Sequence, residues 1–254
     1  MWNAAVQLAA LIEGPELALP TAVKEVGDEG ERLGDWDVAG RRVLELGAGT
    51  GLAGLVAALK GATRTIITDY PATEVLDNLR QNVAANIQTR RADASKTRAA
   101  DARGEIGEVR VEGHEWGVLT DSFSIHEKEA FDRILVADCL WSMLLLCSKA
   151  PLSESKVLTF DTVPHQHINL LSSIRWFLAP KGRAWVVAGF HTGREKMKGF
   201  YAPEALEAAD LEIESIWEKN ADGKERSWVE DRGREDITER KRWLVIGILK
   251  RRGT

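Results

Sequence analysis

The stretch Val43-Leu-Glu-Leu-Gly-Ala-Gly-Thr-Gly-Leu52 constrains this chain more than any other part of it. A short apolar run ends at Leu46, the glycines Gly47, Gly49 and Gly51 follow at alternate positions, and a helix-forming segment opens at Leu52. Glycine lacks a Cβ, so it takes left-handed backbone easily and lets another group approach the main chain. Strand, tight glycine turn and helix together make the first half of a βαβ unit. The turn of such a unit lies at the carboxyl end of the strand, where open α/β sheets bind their ligands. Free N–H groups at the start of the next helix can meet polar or anionic groups there.

The remaining pattern agrees with an α/β fold. Arg42 to Leu46, Arg64 to Thr68, Asp132 to Ala137 and Arg183 to Ala188 are short, nearly continuous apolar runs, the pattern of buried parallel strands. Within Ala72 to Gln88, Val75, Leu79, Val83 and Ile87 recur every fourth residue and share one helix face. Ile168 to Leu178 and Pro203 to Ala209 read as helices too. Strands alternating with helices predict a parallel sheet covered on both faces. Towards the C-terminus, Leu211 to Trp217 and Trp243 to Lys250 are strand-like, and the charged, turn-rich segment between them holds no long apolar helix. Strands joined in this way are expected to be antiparallel. Residues 1–254 are expected to form a single domain. Two stretches stand apart: Thr89 to Gly107 reads as a solvated loop, and Ser142 to Val163 as an irregular insertion.

Composition narrows the class. A chain of 254 residues, 44% hydrophobic, can bury a sizeable core without staples. Its two cysteines, Cys139 and Cys147, exclude a disulfide framework and a four-cysteine zinc site. His165 and His167 lack a third ligand nearby, so no metal is expected. No apolar run approaches the ~20 residues that cross a bilayer. These points predict a reduced, cytoplasmic protein that does not enter a membrane. The net charge of −5, from 34 basic and 39 acidic residues, argues against a nucleic-acid partner.

The glycine loop fits two frames. Gly49, Gly51 and Gly54 satisfy a dinucleotide pattern, G-x-G-x-x-G. Glu45-x-Gly47-x-Gly49-x-Gly51 instead places an acid two residues before the first glycine, where it can help anchor a ligand's amino-acid end. Downstream, Asp69 ends the second strand, where a carboxylate accepts hydrogen bonds from ribose hydroxyls. That acid serves NAD and S-adenosylmethionine equally well.

VLELGAGTGL followed by Asp69-Tyr-Pro resembles the class I S-adenosylmethionine-dependent methyltransferases, and more narrowly their seven-strand lysine methyltransferase-like group. Three further segments are similar to that group. Trp2-Asn3-Ala4-Ala5 resembles its W-N-A segment. Glu112-Gly-His-Glu-Trp116-Gly117 resembles a short strand ending in a tryptophan beside the adenine. Val136-Ala-Asp138-Cys-Leu-Trp141 resembles its D-x-x-Y motif, with Trp141 in place of the tyrosine. Family members carry a further segment before W-N-A, whereas this sequence opens at Met1-Trp2.

The resemblance implies a Rossmann-like methyltransferase fold: a doubly wound, mostly parallel seven-stranded sheet with an antiparallel C-terminal edge strand. It implies S-adenosyl-L-methionine as cofactor, held by Trp2, Glu45, Gly47, Gly49, Gly51, Asp69, Tyr70, Trp116 and Asp138. It implies methyl transfer to a nitrogen of a protein substrate, a lysine or an N-terminal amine. A translation factor is the substrate suggested by the fungal nicotinamide N-methyltransferase-like members, and a monomer is expected. Asp138 and Trp141 are the candidate catalytic residues, the first to hold the acceptor amine and the second to wall it. Two alternatives remain open: a small-molecule amine as acceptor, or a cofactor-fold protein that binds without turnover.

Overall fold

The computed structural model describes residues 4–14, 36–88, 106–140, 162–190 and 193–254. Among these residues the strands form one eight-stranded sheet. Its strands are β1 (Arg42–Leu46), β2 (Arg64–Asp69), β3 (Glu108–Gly113), β4 (Phe131–Ala137), β5 (Leu178–Gly189), β6 (Leu211–Asn220), β7 (Glu225–Ser227) and β8 (Trp243–Arg251). The spatial order is β3-β2-β1-β4-β5-β8-β6-β7. Strands β1 to β5 are mutually parallel, and β8 is antiparallel to both β5 and β6. The chain order reverses between β1 and β4, so the carboxyl ends of those two strands flank a topological switch point.

The period of two in each strand divides the core. Leu44, Leu46, Ile134, Val136, Ala184 and Val186 face one side, where they pack against Leu170, Leu171, Ile174 and Phe177 of helix α5 (Thr162–Phe177). Val43, Leu135, Trp185 and Val187 face the other side. There they meet α1 (Ala4–Glu13) and α2 (Leu52–Leu59). The stripe Ala4, Leu8, Ile12 recurs every fourth residue and is almost fully buried. Burying side chains such as Leu8 and Ile12 contributes ~1.5–3 kcal/mol each, and this burial holds α1 on the sheet. Helix α3 (Thr73–Val83) continues into a π-helical turn, Ala84–Gln88. Leu79 and Ile87, from the stripe read in the sequence, pack there against Ile67 and Leu55. Short helices α4 (Ser122–His126), α6 (Arg194–Lys198), α7 (Pro203–Ala208) and α8 (Ile237–Arg240) complete the described elements. No helix among the described residues is long and apolar enough to cross a membrane.

The expected mostly parallel sheet with an antiparallel final strand is present, with two differences in detail. First, β8 is not an edge strand but lies between β5 and β6. Leu244, Val245, Ile246, Ile248 and Leu249 are all nearly inaccessible, and such a run needs cover on both faces and partners on both sides. Second, β7 adds an eighth strand at the edge. The turn after β6 makes it: Asn220 Oδ1 accepts from the main-chain N of Asp222 (3.0 Å) and of Lys224 (2.8 Å), and the chain folds back along β6. Helix α5 begins at Thr162, so Thr162 and Val163 belong to it and not to the irregular insertion. The rest of that insertion, and 89–105 of the solvated loop, lie outside the described residues.

Candidate active site

The glycine loop sits at the carboxyl end of β1 and is pinned from several directions. Gly47, Gly49 and Gly51 all have positive φ, at 65°, 57° and 78°. Ala48 N donates to Thr68 O (3.0 Å), and Asn82 of α3 donates to Thr50 O (3.0 Å). Asp69 closes the loop: its Oδ2 accepts from Gly49 N at 2.7 Å, and its Oδ1 accepts from Tyr70 N at 2.6 Å. Each oxygen keeps a further lone pair. A Cβ on Gly49 would meet no atom within 4 Å, so the loop is open on that side. Tyr70 is 46% exposed at the same rim.

Glu45 lies beneath this loop. It is 1% exposed, and its Oε2 accepts from Gly54 N in the first turn of α2 at 2.9 Å. Oε1 has no hydrogen-bond partner among the described residues. Burial raises its pKa to about 8, against the opposing hydrogen bonds from Gly54 and Ala53. In this geometry Glu45 braces the loop-to-helix junction from below. Gly54 has to be glycine here, since a Cβ would lie 2.6 Å from that carboxylate.

On the other side of the loop stand Trp116 and Cys139. A Cβ on Gly47 would lie 2.7 Å from both Cys139 Sγ and Trp116 Cζ2. The sequence reading placed Trp116 at a strand end; β3 stops at Gly113, and the indole is carried by the turn that follows. That turn is latched to α5. Ser173 Oγ lies 2.9 Å from His114 Nε2 and accepts from Gly117 N at 2.9 Å. His114 is buried against Phe177 and Phe123, and burial pushes its pKa down to about 4, so the ring is neutral. Ser173 has no sequence signal of its own, and His114 has only its place within the segment 112–117.

Asp138 ends β4 in the left-handed region, φ 59°. An aspartate tolerates this better than most residues. Its N–H donates to Val187 O (2.8 Å) and its Oδ1 accepts from Gly189 N (3.1 Å), so it ties the ends of β4 and β5 together. Asp69 and Asp138 thus stand at strand ends on the two sides of β1. A non-glycine residue held at positive φ costs about 1–3 kcal/mol and marks functional sites more often than others.

A buried charge network borders the carboxyl ends of β5 and β6. Arg194 is bidentate to Glu218 (2.6 and 3.1 Å) and also pairs with Glu235 (3.1 Å). Arg226 reaches Glu218 at 2.7 Å. Glu218 is fully buried, which nothing in a charged, turn-rich stretch announces.

Comparison with known proteins settles the lineage. A sequence model described as lysine methyltransferase matches residues 1–148. The chain belongs to the lysine methyltransferase family. Its curated relatives include the protein N-terminal and lysine N-methyltransferase EFM7 of Candida glabrata, 32% identical over 157 residues, 61% of this chain and 47% of that protein. The protein N-lysine methyltransferase METTL21A of Danio rerio is 33% identical over 141 residues, 56% of this chain and 47% of that protein. The chain therefore spans about half the length of the curated relatives it matches. A TehB-like SAM-dependent methyltransferase from Corynebacterium glutamicum shares the fold, with a TM-score of 0.50, 18% identity, and coverage of 84% of this chain and 82% of that one. In this lysine methyltransferase family chain, Gly47, Gly49, Gly51, Asp69, Tyr70, Trp116 and Asp138 all border the carboxyl edge of β1, β2 and β4, and Glu45 lies under it. Trp2 and Trp141 lie outside the described residues.

Proposed function

We propose that this chain is an N-methyltransferase that uses S-adenosyl-L-methionine and acts on a lysine or N-terminal amine of a protein. The observation that carries the reading is the Asp69 carboxylate held against the open side of the glycine loop by Gly49 N. The residues fit the cofactor. Asp69 keeps acceptor lone pairs for ribose hydroxyls, Gly49 leaves room for close approach, and Trp116 offers an aromatic edge beside Gly47. The cofactor, when bound, supplies an electrophilic methyl group on a sulfonium.

The protein's own part is then positioning, the main source of rate in an in-line transfer. Asp138 is fixed by Gly189 and by its own strained backbone, and in this reading its carboxylate accepts a hydrogen bond from the acceptor amine. Trp141 remains the candidate for the wall around that amine, where a ring face attracts a cationic form by ~0.5–2 kcal/mol. A translation factor is the first protein to try, because the named relatives methylate proteins. The reading also takes 1–254 as one cytoplasmic, monomeric domain, which gel filtration of the purified chain checks.

The test is transfer of radiolabelled methyl to proteins of a cell extract, with calorimetry against S-adenosylhomocysteine and NAD. Labelled protein and S-adenosylhomocysteine binding are expected. Label found only in small amines would move the acceptor. NAD binding with no signal from S-adenosylhomocysteine would overturn the reading.

A further inference from the structure

Towards the amino ends of the central strands, away from the glycine loop, basic residues gather. Arg41 precedes β1, Arg133 lies opposite Val43 on β4, and Arg183 lies opposite Arg133 on β5. This register puts the three side chains on one face of the sheet, the face that buries Val43, Leu135 and Trp185. Together with Lys181 they line a cavity of about 350 Å³ floored by Trp185, with Glu214 at its side.

The charges in this cavity do not balance. Arg183 is matched, its guanidinium bidentate to Glu214 at 2.6 Å for each contact. Arg41 and Lys181 have no acid partner among the described residues. Arg133 gives Nη1 to the carbonyl of Asp132 and stacks over Trp185, 5.2 Å from the ring centre, and it has no acid partner among the described residues. Burial holds the Arg133 guanidinium below its ordinary pKa, and the like charges of Arg41 and Arg183 add to this; Asp132 and Asp37 offset part of it. Crowded cations in a recess repel one another unless something anionic with several acceptors fills it.

We propose that this cavity is a second ligand site, specific for a small, free phosphate-bearing anion. Guanidinium forks and an ammonium converging on one recess suit the several oxygens of a phosphate better than a single carboxylate. The volume, about 350 Å³, lies at the small end of small-molecule sites. The site is on the far side of the sheet from Asp69 and does not depend on the methyl-transfer reading.

Calorimetric titration of the whole chain with inorganic pyrophosphate, in metal-free buffer of low ionic strength, tests it. Adenosine monophosphate, adenosine and a phosphoserine peptide form the comparison arms. Saturable binding of pyrophosphate is expected, and adenosine monophosphate should lose affinity in the cavity variants, whereas adenosine, which the glycine loop can take up, should not. Arg133→Gln should weaken pyrophosphate about tenfold or more, the scale of a lost charge-assisted hydrogen bond. Arg133 is partly buried, so exposed Arg41→Gln and Lys181→Gln provide variants that leave the core intact, each expected to lose severalfold. Asp69→Ala should leave pyrophosphate affinity unchanged. The proposal is wrong if pyrophosphate gives no saturable signal, if its affinity is the same in all three cavity variants, or if only the phosphopeptide binds.

Discussion

Asp69 Oδ2 and Gly49 N, twenty residues apart in the chain, are hydrogen-bonded at 2.7 Å across the mouth of the glycine loop. The acid at the end of β2 therefore shapes the loop before any ligand arrives, and it faces the same space the ligand would fill. Asp69→Ala removes both the loop contact and a charged acceptor for ribose hydroxyls. A hydrogen bond to a charged group contributes about 1.5–3 kcal/mol, so affinity for S-adenosylhomocysteine should fall roughly 10- to 100-fold. Calorimetry on the folded variant measures it, and unchanged affinity would remove Asp69 from the site.

Asp138 combines positive φ with a side-chain bond to Gly189. Asp138→Asn keeps an acceptor for Gly189 N and the tolerance for left-handed backbone but loses the charge. It should retain stability within about 1 kcal/mol and lose turnover more than S-adenosylhomocysteine affinity. Asp138→Ala should in addition lose about 1–3 kcal/mol in urea unfolding. Equal losses of turnover and cofactor affinity in the asparagine variant would move Asp138 to the cofactor side.

Glu45 predicts a pH effect on the ligand-free protein. Its pKa is raised by burial to about 8 in the fold, from 4.5. Between those values the native state holds a proton that the unfolded chain has released, so stability falls as pH rises through that window. Glu45→Gln keeps an acceptor for Gly54 N and has no proton to lose. Its stability relative to wild type should therefore grow from pH 5 to pH 8, by up to a few kcal/mol on the scale of about 1.4 kcal/mol per pKa unit. Urea melts at the two pH values check this; parallel curves would place a second charge beside Glu45.

His114 slopes the other way. Burial lowers its pKa from 6.5 to about 4, so between those values the unfolded chain takes up a proton that the native ring refuses. Stability should fall as pH drops through this window, by about 3 kcal/mol at most. His114→Gln should be less stable than wild type at neutral pH yet flatter with acid. Ser173→Ala should share the neutral-pH loss and weaken S-adenosylhomocysteine binding, because the turn carrying Trp116 loses its tie to α5. If that binding is unaffected, the turn's position does not matter to the cofactor.

Much of this architecture was legible because it is local. Glycines at alternate positions after an apolar strand, and acids at the ends of the strands beside it, are written within a few residues of one another. The position of β8 was legible too, in the unbroken run Leu244 to Leu249, but a strand-like segment near the end of a chain is easily taken for an edge. What the sequence hid is non-local. Ser173 and His114 are 59 residues apart, and neither residue type implies the other. Glu218 looks like a surface acid until Arg194 and Arg226 fold over it. The cations of the far cavity come from three different strand starts, and only the strand register brings them together.

The place of β8 has a bearing on how the protein is made. During synthesis β5 emerges with an unpaired outer edge, and that edge stays open until residues 243–251 leave the ribosome and slot in beside it. Strand β6 waits as well, since its contact with the sheet runs through β8. A nascent chain stalled before Trp243 would carry an apolar, strand-ready edge on β5, the kind of surface that recruits other chains. Termination before Trp243 should therefore yield aggregates rather than a shortened, folded chain.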